Sequence, residues 1–279
     1  MNKRLLFKII NHSTIFFIGM FMAYPILWLV SASFKDSIEI ITQPFSIIPR
    51  EFVLYNFPNG WRGFGGITFA TFFRNSFIIA TVGTLGTAVS SACVAYGFAR
   101  IKFPGRRLWF ACMMVTMMLP GQVLLIPQYI IFHRIGWVNT FNPLIVPQFF
   151  SNAFFVFMIM QFVMGLPKEL EEAAIIDGCN KFSCFGRIIV PLIMPAIVTT
   201  ALINFYQTWD WFLQPLIYLT RPQNFTVTLA LRAFVDATSI IDYGALFAMS
   251  TLSLLPVFLV FLFFNRFLIE GISTTGLKG

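Results

Sequence analysis

The chain has 279 residues, of which 58% are hydrophobic and only 11% charged, with a mean hydropathy of +0.80. Soluble domains carry about 25% charged residues, so a water-soluble globular enzyme is excluded. The net charge of +8 does not signal nucleic acid, because the basic residues flank apolar runs instead of gathering on one polar face.

Six apolar runs are marked, at roughly 13–33, 72–99, 108–132, 143–164, 191–214 and 244–268. A helix of about 20 residues crosses a hydrocarbon core of about 30 Å, and a lone strand there would leave its backbone groups unpaired. The predicted fold is therefore all-α: an integral membrane protein of six transmembrane helices in a single domain, 1–279. The first run lacks an A-x-A-like cleavage site and reads as a retained helix, not a signal peptide. Between it and the second lies Phe34–Thr71, rich in proline and glycine ("NGWRGFGG") and predicted to be irregular apart from a short interfacial helix. In the third run Pro120, Gly121 and Pro127 predict a bend, and Gln122 and Gln128 are candidates to face a pathway.

The fifth run is the most polar. Asn204, Gln207, Thr208 and Trp211 fall at i, i+3, i+4 and i+7, the spacing of one helical face. Two readings stand. The amides, hydroxyl and indole could bind and stack on a sugar, or they could bond between helices, with Trp209 and Trp211 in an interfacial aromatic belt. Asp210, near the end of that run, is a candidate partner for Arg74.

Lysine and arginine set the orientation. One side receives Lys3, Arg4, Lys8, the "RIKFPGRR" segment, Lys168, Lys181, Arg187, Arg266 and Lys278, mostly in tight connections. That side is predicted to be cytoplasmic and to hold both termini. The four cysteines form no C-x-x-C pair, which supports neither a disulfide framework nor a metal site. The two histidines, His12 and His133, flank different runs, and no catalytic motif joins them. The runs hold almost no ionisable residue to carry an ion couple, which argues against a secondary transporter or channel.

The connection 165–190, "GLPKELEEAAIIDGCNKFSCFGRIIV", stands apart because it packs four acids into nine residues. Pro167 suits the first turn of a helix, and Glu169, Glu171 and Glu172 suit the positive end of its dipole. Leu170, Ala173 and Ala174 fall at i, i+3 and i+4, a narrow face of mostly small side chains. Gly178 can take the left-handed conformation that ends a helix. A second short helix follows, with Phe182, Phe185 and Ile189 on one side, and Pro191 and Pro195 mark entry into the fifth run. This elbow is either a connector resting on headgroups or a docking piece for another protein.

The stretch "EEAAIIDGCNKFSCFGRIIVP" resembles the EAA loop of ABC-importer permeases: Glu172, Ala173, Ala174, Gly178, Ile188 and Pro191 match its pattern, with Val190 where leucine is usual. The likeness continues through "IPQYIIFHRIGWVNT", "WDWFLQPL" and the tail "GISTTGLKG", and is similar to the carbohydrate-uptake branch, specifically the maltose-system permease without a large external domain. The resemblance implies a type I ABC importer permease fold in a bacterial or archaeal cell membrane. It further implies docking of an ATPase subunit on Glu172, Ala173, Ala174 and Gly178, with Leu170 and Asp177 beside them. Implied partners are two ATPase chains, a homologous second permease (a homodimer being the alternative), and an extracytoplasmic solute-binding protein. Glycerol-phosphate permeases share the pattern, so the implied cargo is a sugar or such a solute. The chain lacks G-x-x-x-x-G-K-[ST], and the expectation is that it binds no cofactor or metal, with ATP and Mg used by the separate ATPase.

Overall fold

The computed structural model describes residues 3–237 and 242–276. In chain order the helices begin with α1 (Lys3–Ala32), α2 (Ser37–Thr42), α3 (Asn56–Trp61), α4 (Phe69–Arg100), α5 (Arg106–Thr116), α6 (Gly121–Arg134), α7 (Asn142–Ile145) and α8 (Ala153–Gly165). They continue with α9 (Glu169–Ile176), α10 (Lys181–Cys184), α11 (Val190–Leu192), α12 (Met194–Trp209), α13 (Leu213–Tyr218), α14 (Val227–Ala237) and α15 (Tyr243–Gly276). Among the described residues the only extended pairing recorded is an isolated bridge between Phe64 and Ile67.

Ile10–Ala32, Phe69–Arg100, Asn142–Gly165 and Tyr243–Phe267 are each long and apolar enough to cross a membrane. Two bent pairs add to these: α5 with α6 at 99°, and Lys181–Leu192 with α12 at 74°. If each bent pair counts as one crossing, the described residues hold six. Large side chains such as Phe16, Phe21, Phe258 and Phe263 are exposed on α1 and α15, as lipid-facing surfaces require.

The bends have local causes. α5 ends at Thr116, and Pro120 stands in extended conformation (φ −63°, ψ 125°) as the N-cap of α6. A residue before proline avoids the helical region and proline itself donates no N–H, so the third run is two helices, not one continuous span. Pro127, also expected to bend this run, lies inside α6. The fifth run is shorter than expected: α12 stops at Trp209, Trp211 and Phe212 are non-helical, and α13 is a separate helix. Pro191 and Pro195 sit in the opening positions of α11 and α12, where a missing N–H costs little.

The chain forms two compact units. The first combines the residues up to Ala70 with Ala230–Leu255. Its Phe34–Thr68 segment is ordered by polar contacts: Asn56 donates to the carbonyls of Ser33 and Lys35 at 2.9 and 2.8 Å, and the buried Lys35 ammonium donates to the Ser46 carbonyl. Asp36 caps α2 by accepting from the Ile38 N–H at 3.0 Å and takes the Tyr55 hydroxyl at 2.6 Å. The tyrosine hydrogen bond, helped by the Ile38 N–H, holds the Asp36 carboxyl below the usual carboxylate range. Asp242 accepts from the Ser37 hydroxyl and the Ala245 N–H, both at 3.0 Å, fixing the start of α15.

The second unit combines Thr71–Leu229 with the residues from Pro256 on, and it carries the elbow. Along α4 three zones follow one another. Ile79 packs with Leu144, Tyr218, Leu219 and Leu229. Thr84 enters a buried polar group, and Ala92, Ala95 and Tyr96 pack with Val156, Ile159, Val163, Ala174, Ile189 and Ala196. Asn75 donates to the carbonyls of Gln223 and Phe225 at 2.8 and 3.0 Å, tying the opposite end of α4 to that loop.

Candidate functional site

The polar elbow is a helix, a tight turn and a second helix. α9 begins at Glu169, with Pro167 two residues earlier and Lys168 at the N-cap. Pro167 thus precedes the first helical turn instead of occupying it. At the other end Gly178 has φ +87°. Its N–H reaches the Ile175 carbonyl at 3.0 Å and the Cys179 N–H reaches the Ala174 carbonyl at 2.9 Å. This paired closure satisfies two carbonyls that the helix end would otherwise leave bare. Asn180 then caps α10 by accepting from the Ser183 N–H at 2.8 Å, and a π turn at Phe185–Ile189 leads to α11.

α9 is fastened to the rest of its unit along one edge. Arg100 Nε lies 2.7 Å from Glu171 Oε1, with both side chains largely buried. The N–H does not point along that line, so the contact is a charge pair more than a directed hydrogen bond. The same guanidinium donates from Nη2 to the carbonyls of Val163 and Leu166 at 2.8 and 2.6 Å, the last turn of α8. Tyr96 donates its hydroxyl to Glu171 Oε2 at 3.2 Å. One arginine therefore binds the end of α8 and the start of α9 together.

The face expected to be small and open divides in two. Ala174 is only 6% exposed and belongs to the apolar cluster with Val163, Cys184 and Ile189. It anchors α9 inward, which removes it from any open docking face of this chain. Leu170, Glu172, Ala173, Asp177 and Gly178 are exposed. Ile176, at 85%, and Phe182, at 89%, stand almost fully free on either side of the Gly178 turn. Phe182 and Ile189, expected on one side of the second helix, have opposite fates, since Ile189 is fully buried. The inward edge of α9 is Glu171 with Ala174, and its outward surface carries acids and bare aliphatic tips.

The polar residues of α12 also separate. Asn204 donates from Nδ2 to Gln148 Oε1 at 2.9 Å and to Thr84 Oγ1 at 3.2 Å. Thr208 donates to the same Gln148 oxygen at 3.3 Å, and Gln148 Nε2 donates to the Leu144 carbonyl at 2.7 Å. These buried groups are engaged between helices, the second of the two sequence readings. Gln207 is exposed, and Trp211 lies beyond the end of α12, its carbonyl accepting from Thr228 at 2.6 Å. The four residues do not form one helical face. Trp209 is buried and stacked on Phe205. Gln122 is exposed at the start of α6, while Gln128 accepts from the Tyr218 hydroxyl at 3.4 Å. Arg74 and Asp210 are both exposed and do not pair.

Sequence reasoning missed Arg100, counted only as a topogenic charge within "RIKFPGRR", and gave Tyr96 no role. It also missed Gln148, although an amide inside "NPLIVPQFF" was itself a signal. Gln148 lies so close to Gly83 that a Cβ there would collide with its side-chain amide, which is how α4 comes near enough for Thr84 to bond Asn204.

The model of the family described as "Binding-protein-dependent transport system inner membrane component" matches residues 85–274, more than half of the chain and the whole elbow. The chain belongs to this family. It is 32% identical to the arabinooligosaccharides transport system permease protein AraQ of Halalkalibacterium halodurans, over 94% of each chain. It is 30% identical to the diacetylchitobiose uptake system permease protein NgcG of Streptomyces coelicolor, over 96% of this chain and 88% of that one. Among solved structures, a bacterial ABC transporter that imports the acidic polysaccharide alginate matches with a TM-score of 0.83 at 19% identity, covering 95% of this chain and 98% of that one. The family member described here is thus a multi-pass membrane protein with the ABC importer permease fold, a transport subunit.

Proposed function

We propose that this chain is a permease subunit of an ATP-driven, binding-protein-dependent sugar importer, with an oligosaccharide as cargo, and that its elbow couples ATPase closure to alternating access. The cargo class is supported by the relatives, whose names specify oligosaccharide or chitobiose uptake. The coupling role is carried by one observation: α9 is bolted to α4 and α8 through Arg100 and Glu171 while Ile176 and Phe182 project bare around the Gly178 turn. An element held rigidly on one side and greasy on the other suits insertion into a protein cleft better than rest on charged headgroups.

In this reading two separate ATPase chains use ATP and Mg. A homologous second permease completes the pathway as a heterodimer, and an extracytoplasmic binding protein delivers the sugar. The elbow and both termini face the cytoplasm, as the lysine and arginine distribution favours. Leu170, Glu172, Ala173, Asp177 and Gly178 form the docking surface with Ile176 and Phe182, and Gln207 and Gln122 are the exposed polar candidates for the substrate path. The test is copurification followed by transport in vesicles. A cysteine placed at Ala173 is expected to crosslink to an ATPase subunit, and loaded binding protein is expected to stimulate ATP hydrolysis. Sugar uptake that persists on an ion gradient with the ATPase disabled would refute the reading.

A further inference from the structure

A groove of about 990 Å³ opens between the end of α4, the 101–105 connection, the start of α5 and the C-terminal part of α8. Its rim carries Lys102, Arg106 and Arg107, and its wall is apolar, with Phe98, Phe110 and Met160 among its residues. Phe98 meets Phe103 and Phe110 with ring centroids 5.7 and 5.8 Å apart, so the wall is a packed surface. No acid lines the groove. The sequence holds no aspartate or glutamate between Glu51 and Glu169, and Glu171 is already occupied by Arg100. Among the described residues, none of the three rim cations has an ion-pair partner.

We propose that this groove holds one anionic phospholipid, its phosphate on Lys102, Arg106 and Arg107 and an acyl chain along Phe98, Phe110 and Met160. The occupant must be amphiphilic and negative. Three cations gathered over an apolar wall at a membrane boundary complement a lipid phosphate, whereas a soluble anion would leave the aromatic wall uncovered and a neutral lipid would leave the charges unmatched. The volume suits a headgroup with the upper part of an acyl chain. Because α8 runs from this groove directly into α9, the lipid would sit against the helix to which the elbow is fastened. The proposal rests on the geometry of the groove and holds whatever sugar is carried.

The test uses the full-length chain, in the assembly in which it leaves the membrane, delipidated and titrated with phosphatidylglycerol or phosphatidylcholine under native mass spectrometry. The natural chain is expected to retain one phosphatidylglycerol with a preference of at least about tenfold over phosphatidylcholine. The combined Lys102→Gln, Arg106→Gln and Arg107→Gln variant is expected to lose that preference, and Arg4→Gln with Lys8→Gln to keep it. Gln161→Glu, which adds a negative charge to the lining without removing a base, is expected to weaken retention even if the triple variant fails to insert. Equal retention of the two lipids by the natural chain would overturn the proposal, as would full retention by the Gln161→Glu variant. So would displacement by excess inorganic phosphate, which would mark a plain anion site, or protection of the groove by a copurifying polypeptide with no lipid present.

Discussion

Arg100, the last residue of α4, binds one carboxylate and two carbonyls, so no single substitution on α9 itself removes as many of these ties. Arg100→Ala leaves Glu171 largely buried without its countercharge, bares the Leu166 carbonyl and leaves the Val163 carbonyl only the Leu166 N–H. Breaking one side of a buried pair costs about 3–5 kcal/mol, and water reaching the loop end brings the expectation to the lower limit. The 165–182 segment should become sensitive to protease and transport should fail, while the helices still insert; Glu171→Gln should be milder. Asp36 offers a second test at this scale. Its carboxyl is held low by Tyr55 and Ile38, so the folded form gains stability above the usual carboxylate value, and that gain is lost as pH falls through the lower folded value. Hydrogen-exchange protection factors across residues 34–56 should be unchanged from neutral pH to about pH 5 and fall below about pH 4. Tyr55→Phe, which removes the strongest hydrogen bond to Asp36, returns the folded carboxyl toward its unfolded value, so protection should be lower at neutral pH and its loss on acidification smaller.

The elements were legible where local chemistry decides them. Gly178 ends α9 in the left-handed region, Pro120 breaks the third run, and Pro191 and Pro195 open helices, because each effect is confined to a few residues. The inward edge of α9 was not legible. Glu169, Glu171 and Glu172 look alike in sequence, and the one that turns inward is chosen by Arg100 and Tyr96 on a distant helix. The α12 face failed for a similar reason: period alone cannot tell that the helix stops at Trp209, two residues short of Trp211. Gly178 makes the elbow's own prediction. A Cβ there meets nothing of this chain within 4 Å, so within the elbow Gly178→Val acts through backbone strain, about 1–2 kcal/mol. Copurified ATPase should fall sharply, while Gly178→Asn, which tolerates the left-handed region, should keep most of it.

At the scale of the molecule, composition and charge were enough for a multi-pass all-helical protein, while the angles of its broken helices depend on packing that no single run encodes. α4 is the longest element of the second unit's bundle and has no internal proline. From Asn75 to Arg100 it runs about 38 Å at 1.5 Å per residue. Asn75 grips the Gln223–Phe225 loop at one end and Arg100 grips the elbow at the other. Such a strut has no slack: a push on the elbow must arrive as displacement at the far loop. Installing a flexure at its middle, Ser90→Pro, removes a backbone hydrogen bond and kinks the strut at about 3 kcal/mol. Both grips should survive, the ATPase should still copurify, and sugar should no longer cross.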